Sequence, residues 1–182
     1  MRGHSLMKEF VWSRVVVVAC LAVGAIVGWG VASRQPLPTA FAITAQADET
    51  FAICTAPIDA ANGIEGIFIL DFLTGDLTGG VLNAASGTFL TSYKWNVLND
   101  LGFQAGQAKN PKFLLVSGHA ELRPNPRFGR RQMARSVIYV TDCTTGATAA
   151  YGIPWSPQQG NASSPIVSEL VPLDVARPRA VQ

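Results

Sequence analysis

Residues 64–82, IEGIFILDFLTGDLTGGVL, set two apolar runs on either side of a Thr-Gly-Asp turn, and the same spacing returns later in the chain. From Ile67 to Phe72 every side chain but Asp71 is apolar, and after Gly75 the pattern resumes at Leu77, Val81 and Leu82. A short β-rich run bounded by a glycine turn predicts a hairpin buried on both faces. In the turn, Asp71 is placed to accept hydrogen bonds from nearby backbone N–H groups, and Gly75 to supply the positive φ of a tight loop. Ile138, Asp142, Thr145 and Gly146 repeat the spacing of Ile67, Asp71, Thr74 and Gly75. Another apolar run precedes each hairpin, FAICT at 51–55 and FLLVS at 113–117. The predicted unit is therefore strand, loop, strand, Asp-x-x-Thr-Gly turn, strand, present twice. Residues 88–93 offer a fourth strand to the first copy.

Such a unit resembles a blade of a β-propeller. Two copies fall short of the roughly four blades that closure needs. Either the chain forms a small open sheet, or several chains complete a larger assembly; a single mixed sheet with two similar hairpins is the plainer form. The fold class expected is mainly β, one antiparallel domain of two blade-like units with one short helix, behind an N-terminal transmembrane helix. Trp95, Leu98 and Leu101 fall at helical spacing, with Asn96 as cap and Gly102 as stop, and Trp95 reads as core.

The transmembrane expectation rests on residues 15–31, VVVVACLAVGAIVGWGV, which carry no charge. With Phe10, Val11 and Trp12 they approach the roughly 20 residues of a membrane-spanning helix. Arg2, Lys8 and Arg14 precede the run, which keeps the N-terminus in the cytoplasm and exports the remainder. Residues 1–33 thus read as a single-pass anchor in the cytoplasmic (inner) membrane. A signal peptide is the alternative, since AFA at 40–42 and AQA at 45–47 look like cleavage sites. Gly24 and Gly28 have the spacing that lets two such helices approach, one route to a homo-oligomer. Residues 34–50, with Pro36 and Pro38, read as a tether, 51–155 as the exported β domain, and 156–182 as a flexible tail.

Charged residues make up 14% of the chain, against roughly 25% in soluble domains. The formal charge of +2 is concentrated around the apolar segment, which argues against nucleic acid as a partner, since that needs a basic face. No catalytic residues stand out. His119 is the one histidine beyond the predicted anchor, and no Gly-x-Ser-x-Gly elbow accompanies it. Cys20, Cys54 and Cys143 are too scattered for a metal site, and the phosphate- and dinucleotide-binding glycine motifs are missing, so neither metal nor cofactor is expected. Cys54 and Cys143 form a candidate disulfide, the alternative being two buried free thiols.

The most distinctive polar stretch is RPNPRFGRRQMAR at 123–135, with Arg123, Arg127, Arg130, Arg131 and Arg135. Clustered guanidinium groups suit carboxylates or phosphates of a wall polymer, a lipid headgroup or a protein partner of the envelope. A solvated surface loop is the plain alternative. An envelope hydrolase or enzyme subunit, using acids near this loop with His119 and Glu121, is the competing function. The leading one is a membrane-anchored, exported envelope domain that binds or assembles without catalysis.

FILDFLTGDL at 68–77, NPKFLLVSG at 110–118 and GRRQMARSVIYV at 129–140 together resemble a family of short proteins of planctomycete bacteria. The resemblance covers residues 51–155. It implies an apolar N-terminal segment ahead of one domain with the same two hairpins, and it implies no activity. Cys54 and Cys143 depart from the family pattern.

Overall fold

The computed structural model describes residues 45–103, 111–123, 126 and 131–177. The predicted anchor at 1–33, most of the tether, Arg127 and Arg130 lie outside the described residues. Among the described residues no helix is long and apolar enough to cross a membrane.

Runs rich in β-branched and aromatic residues, closed off by glycine turns, give a mainly β domain. In chain order the strands are β1 (Ala45–Ala47), β2 (Phe51–Asp59), β3 (Ile64–Asp71), β4 (Asp76–Asn83), β5 (Thr88–Asn96), β6 (Phe113–His119), β7 (Met133–Asp142), β8 (Thr148–Pro154), β9 (Ile166–Glu169) and β10 (Val171–Ala176). They form a six-stranded sheet of order β1-β2-β3-β4-β5-β9 and a four-stranded sheet of order β10-β8-β7-β6. Neighbours are antiparallel except β5 and β9, which run parallel, so the expectation of a purely antiparallel domain is corrected at one edge.

The two hairpins are built alike. The Asp71 carboxylate accepts from the N–H groups of Leu73 and Thr74 at 2.8 and 3.0 Å, and Gly75 turns the chain at a φ of 71°. Asp142 accepts from Thr144 and Thr145 at 3.0 and 3.1 Å, and Gly146 turns at 74°. The likeness extends to the strand in front. Phe51 pairs with Asp71, and Phe113 pairs with Asp142. Just past each aspartate a backbone N–H reaches the residue ahead of that strand, Phe72 to Thr50 and Cys143 to Lys112, both at 2.9 Å.

Burial, however, alternates where the sequence suggested a hairpin covered on both faces. Phe68, Leu70 and Phe72 are buried while Ile69 and Asp71 are exposed. The inward row of the first sheet runs Cys54, Phe68, Gly79, Tyr93 across four strands and packs on Phe113, Leu115, Ile138, Val140 and Tyr151 of the second. Each such buried apolar side chain contributes about 1.5–3 kcal/mol. Pro57 lacks an N–H, so it sits in β2 where that side of the strand has no ladder partner. There the carbonyls of Thr55 and Pro57 accept instead from the hydroxyls of Ser117 and Ser136 in the second sheet.

Three further expectations change. Residues 166–176 are strands, one joining each sheet, rather than part of a flexible tail, because β5 and β8 offer edges to them. Residues 45–47 of the tether pair with β2. The helix predicted from Trp95 is a single turn, Leu98–Leu101, stopped by Gly102 at a φ of 88°. Trp95 and Asn96 end β5 instead, although the Asn96 side chain still accepts from the Leu98 N–H, as a cap would. A second one-turn helix, Pro157–Gly160, follows β8.

Candidate functional site

Of the five candidate arginines, Arg123, Arg131 and Arg135 are among the described residues. Arg123 and Arg131 are exposed, and Arg135, on β7, pairs with Glu121 at 3.4 Å, both side chains being largely in solvent. An exposed pair of this kind is worth at most about 1 kcal/mol. His119 ends β6 opposite Ser136, exposed, and the cavity that Arg135 borders takes in neither His119 nor Glu121. Among the described residues no group of three His, Cys, Asp or Glu side chains stands close enough to hold a metal ion.

Cys54 and Cys143 are both free thiols. Cys54 lies in the core, where burial pushes its thiol up to about 12, whereas Cys143 is exposed in the turn after β7. One buried and one exposed thiol replace the candidate disulfide and its alternative of two buried thiols.

Two polar arrangements that the sequence did not single out lie where the sheets meet. In the first, one oxygen of Asp100 accepts from the Trp95 indole at 2.7 Å and from the Tyr151 hydroxyl at 2.9 Å. Burial, and then the Asp100 charge, raise the Tyr151 hydroxyl above its ordinary value. Here the donors have their acceptor, so the trio works as a clasp between β5, the turn at Leu98–Leu101 and β8.

The second is a cavity of about 360 Å³ between the end of β2, the start of β7 and Trp155. Asp59 opens a 3-10 turn, Ala60–Asn62, by accepting from the Asn62 N–H at 3.3 Å and from its amide at 2.8 Å. The Asn62 side chain first, then its main chain, hold the Asp59 carboxyl below its ordinary value, and the Trp155 indole adds to this at longer range. Trp155 is anchored by its own N–H on the Gln132 carbonyl at 2.9 Å, next to Pro154, whose carbonyl accepts from Tyr93 at 2.8 Å. Trp155 is 5% exposed, and its indole N–H has no hydrogen-bond acceptor among the described residues. A buried donor left so costs about 1–3 kcal/mol. The Asp-x-x-Asn-Gly string at 59–63 was a readable turn signal; nothing in the sequence told that Trp155 would close over it.

The outer faces of the sheets carry exposed large apolar side chains. On the first, Phe51 is 43% exposed, Ile69 39%, Leu82 48% and Phe89 62%. The register sets Ile69 beside Ile53, Ile67 beside Gly80 and Leu82 beside Phe89, and the Phe89 ring lies over Gly80, so the apolar row runs from β2 to β5. On the second, Leu114 is 54% and Val116 43% exposed. Contiguous apolar surface of this sort marks an interaction site more often than chance exposure does. No family model, curated protein or solved structure matches the chain, so its functional reading rests on this geometry.

Proposed function

We propose that this chain is a membrane-anchored, exported envelope domain that assembles with copies of itself and catalyses no reaction. In this reading residues 1–33 hold it in the cytoplasmic membrane with the N-terminus inside, the architecture that the planctomycete resemblance implies. The observation that carries it is the apolar outer face of the six-stranded sheet, with Phe51, Ile69, Leu82 and Phe89 in solvent. Each sheet holds a four-stranded antiparallel core that reads as a blade, β2 to β5 in one and β6, β7, β8 and β10 in the other. Two blades cannot close a ring, and closure would cover the outer faces. Anchoring in one membrane raises the local concentration of copies, which favours assembly without any new contact.

Light scattering coupled to size exclusion, on the full chain in mild detergent, tests the reading. The expected mass is that of a defined oligomer of about two to four chains, matching four to eight blades. A monomer at every concentration would overturn it.

A further inference from the structure

We infer that the copies join head to tail, the outer face of the four-stranded sheet of one chain packing on the outer face of the six-stranded sheet of the next. The inference rests on the assembly reading and specifies its interface. Matching the two units through their turns sets Phe51, Ile53, Ile67, Ile69 and Asp71 against Phe113, Leu115, Ile138, Val140 and Asp142. The residue types are nearly the same and the burial is opposite. The first set lies on the outer face of its sheet, and the second is the inner face of its own, in the core. The unit-two face that meets unit one inside the chain therefore has its equivalent on unit one, in solvent.

The converse holds as well. Ala52, Cys54 and Phe68, the unit-one side of the internal interface, correspond to Leu114, Val116 and Tyr139, which face outward. Each chain thus presents two unlike surfaces, each a counterpart of one side of an interface already formed within it. Joining them repeats the internal packing from chain to chain. Such a contact is heterologous and ends only in a closed ring or an open filament, whereas pairing like faces would stop at a dimer.

Two variants and their mixture decide the matter. Ile69→Lys blocks the first face and Val116→Lys the second, and both residues are exposed, so the fold should survive, as circular dichroism would verify. Each variant alone should be monomeric, and an equimolar mixture of differently tagged variants should give a dimer holding one of each and nothing larger. An oligomer that persists in Val116→Lys but not in Ile69→Lys would overturn the head-to-tail geometry and leave self-assembly standing. Oligomers unchanged in both variants would overturn the geometry too, placing the contact elsewhere. A monomeric wild type would remove both readings.

A different observation carries a second inference: the cavity beside Trp155 binds a neutral, hydroxyl-rich ligand, a saccharide unit. A hydroxyl donates and accepts at once, so it can bridge the indole N–H, which only donates, and the Asp59 carboxylate, which only accepts. Asn62, Gln132 and Arg135 add planar polar groups at the rim, and about 360 Å³ is far more than one water needs. Charge favours a neutral ligand, because the lining carries one charge of each sign, Asp59 and Arg135. A peptide strand would need free backbone groups at the rim. The carbonyls of Gln132, Arg135 and Pro57 are taken by the N–H groups of Trp155 and Ala120 and by the Ser136 hydroxyl.

The readout is the indole N–H signal of Trp155 in ¹⁵N-labelled full chain, held in a detergent without a sugar headgroup and assigned through Trp155→Phe. N-acetylglucosamine, glucose and mannose are titrated to about 50 mM, where millimolar affinity saturates. The expected result is a saturable shift at Trp155 with at least one sugar and none at Trp95, whose indole Asp100 already holds. Asp59→Asn keeps a capping side chain and should weaken binding about tenfold, the equivalent of one charged hydrogen bond. Silence at Trp155 with all three sugars, or a shift with trialanine alone, would overturn the inference. So would a Trp155 signal displaced by Asp59→Asn without ligand to the value seen for a free indole, since Asp59 would then be the acceptor.

Discussion

Phe68→Ala should destabilise the folded domain by about 3–5 kcal/mol, the range for deleting a fully buried aromatic ring. Phe68 is 0% exposed at the centre of the six-stranded sheet, and its ring lies across Gly79 on the neighbouring strand. A Cβ added at Gly79 would come within 2.5 Å of that ring, so the ring occupies the space a side chain would otherwise take. Nothing nearby can move in after it. Tyr93, stacked on Phe68 at 6.0 Å between ring centroids, is tied by its hydroxyl to the Pro154 carbonyl. Gly79→Ala alone should cost about 1–3 kcal/mol through overpacking. In the Phe68→Ala background the same change should be close to neutral or stabilising, because the added methyl enters the vacated space. Urea titration of the four proteins measures the coupling. Additive losses would show that ring and glycine do not share that space.

What was legible in the sequence was local. Asp71 and Gly75, like Asp142 and Gly146, announce a turn because side-chain acceptor and positive φ act within a few residues. What depends on distant partners was not. IVSE at 166–169 looks too short and polar for a strand, and it is one because β5, far back in the chain, has a free edge. Pro172 lies in the stretch read as a flexible tail, yet prolines are tolerated on edge strands and at bulges, and β10 is an edge strand whose register shifts between Pro172 and Asp174. The hairpin at 64–82 looked covered on both faces because Ile67 and Ile69 are as apolar as Phe68 and Leu70. Their outward position separates a core from an interface, and composition cannot make that distinction. The candidate arginines stand out by charge density, whereas the Trp155 cavity depends on Asp59 and Gln132, brought together by the packing of one sheet on the other.

The two copies of one turn give the second large expected effect. Asp142 is 2% exposed, and its oxygens accept from the Thr144 and Thr145 N–H groups and from the Thr145 hydroxyl at 2.6 Å. Asp142→Ala should therefore cost about 2–4 kcal/mol, since it removes a buried acceptor of these hydrogen bonds and empties the space that its carboxylate fills beneath the turn. Asp71 makes the same backbone bonds in solvent. There water replaces the lost acceptor, and Asp71→Ala should cost a small fraction as much in a chain held monomeric by Ile69→Lys. The Thr74 N–H chiefly, then that of Leu73, hold the Asp71 carboxyl below its ordinary value of 3.8. Its contribution is thus complete above that value and fades as the pH falls through the lowered one. Head-to-tail assembly would change the balance, because Asp71 would then occupy the buried setting that Asp142 has within the chain. In the assembled wild type the cost of Asp71→Ala should rise towards that of Asp142→Ala and show as a loss of oligomer at low protein concentration. Denaturation and light scattering of both variants, with and without Ile69→Lys, measure the difference. Equal costs for the two aspartates in the monomer would mean that burial does not set the strength of these turns, and the structural equivalence of the two faces would lose its energetic meaning.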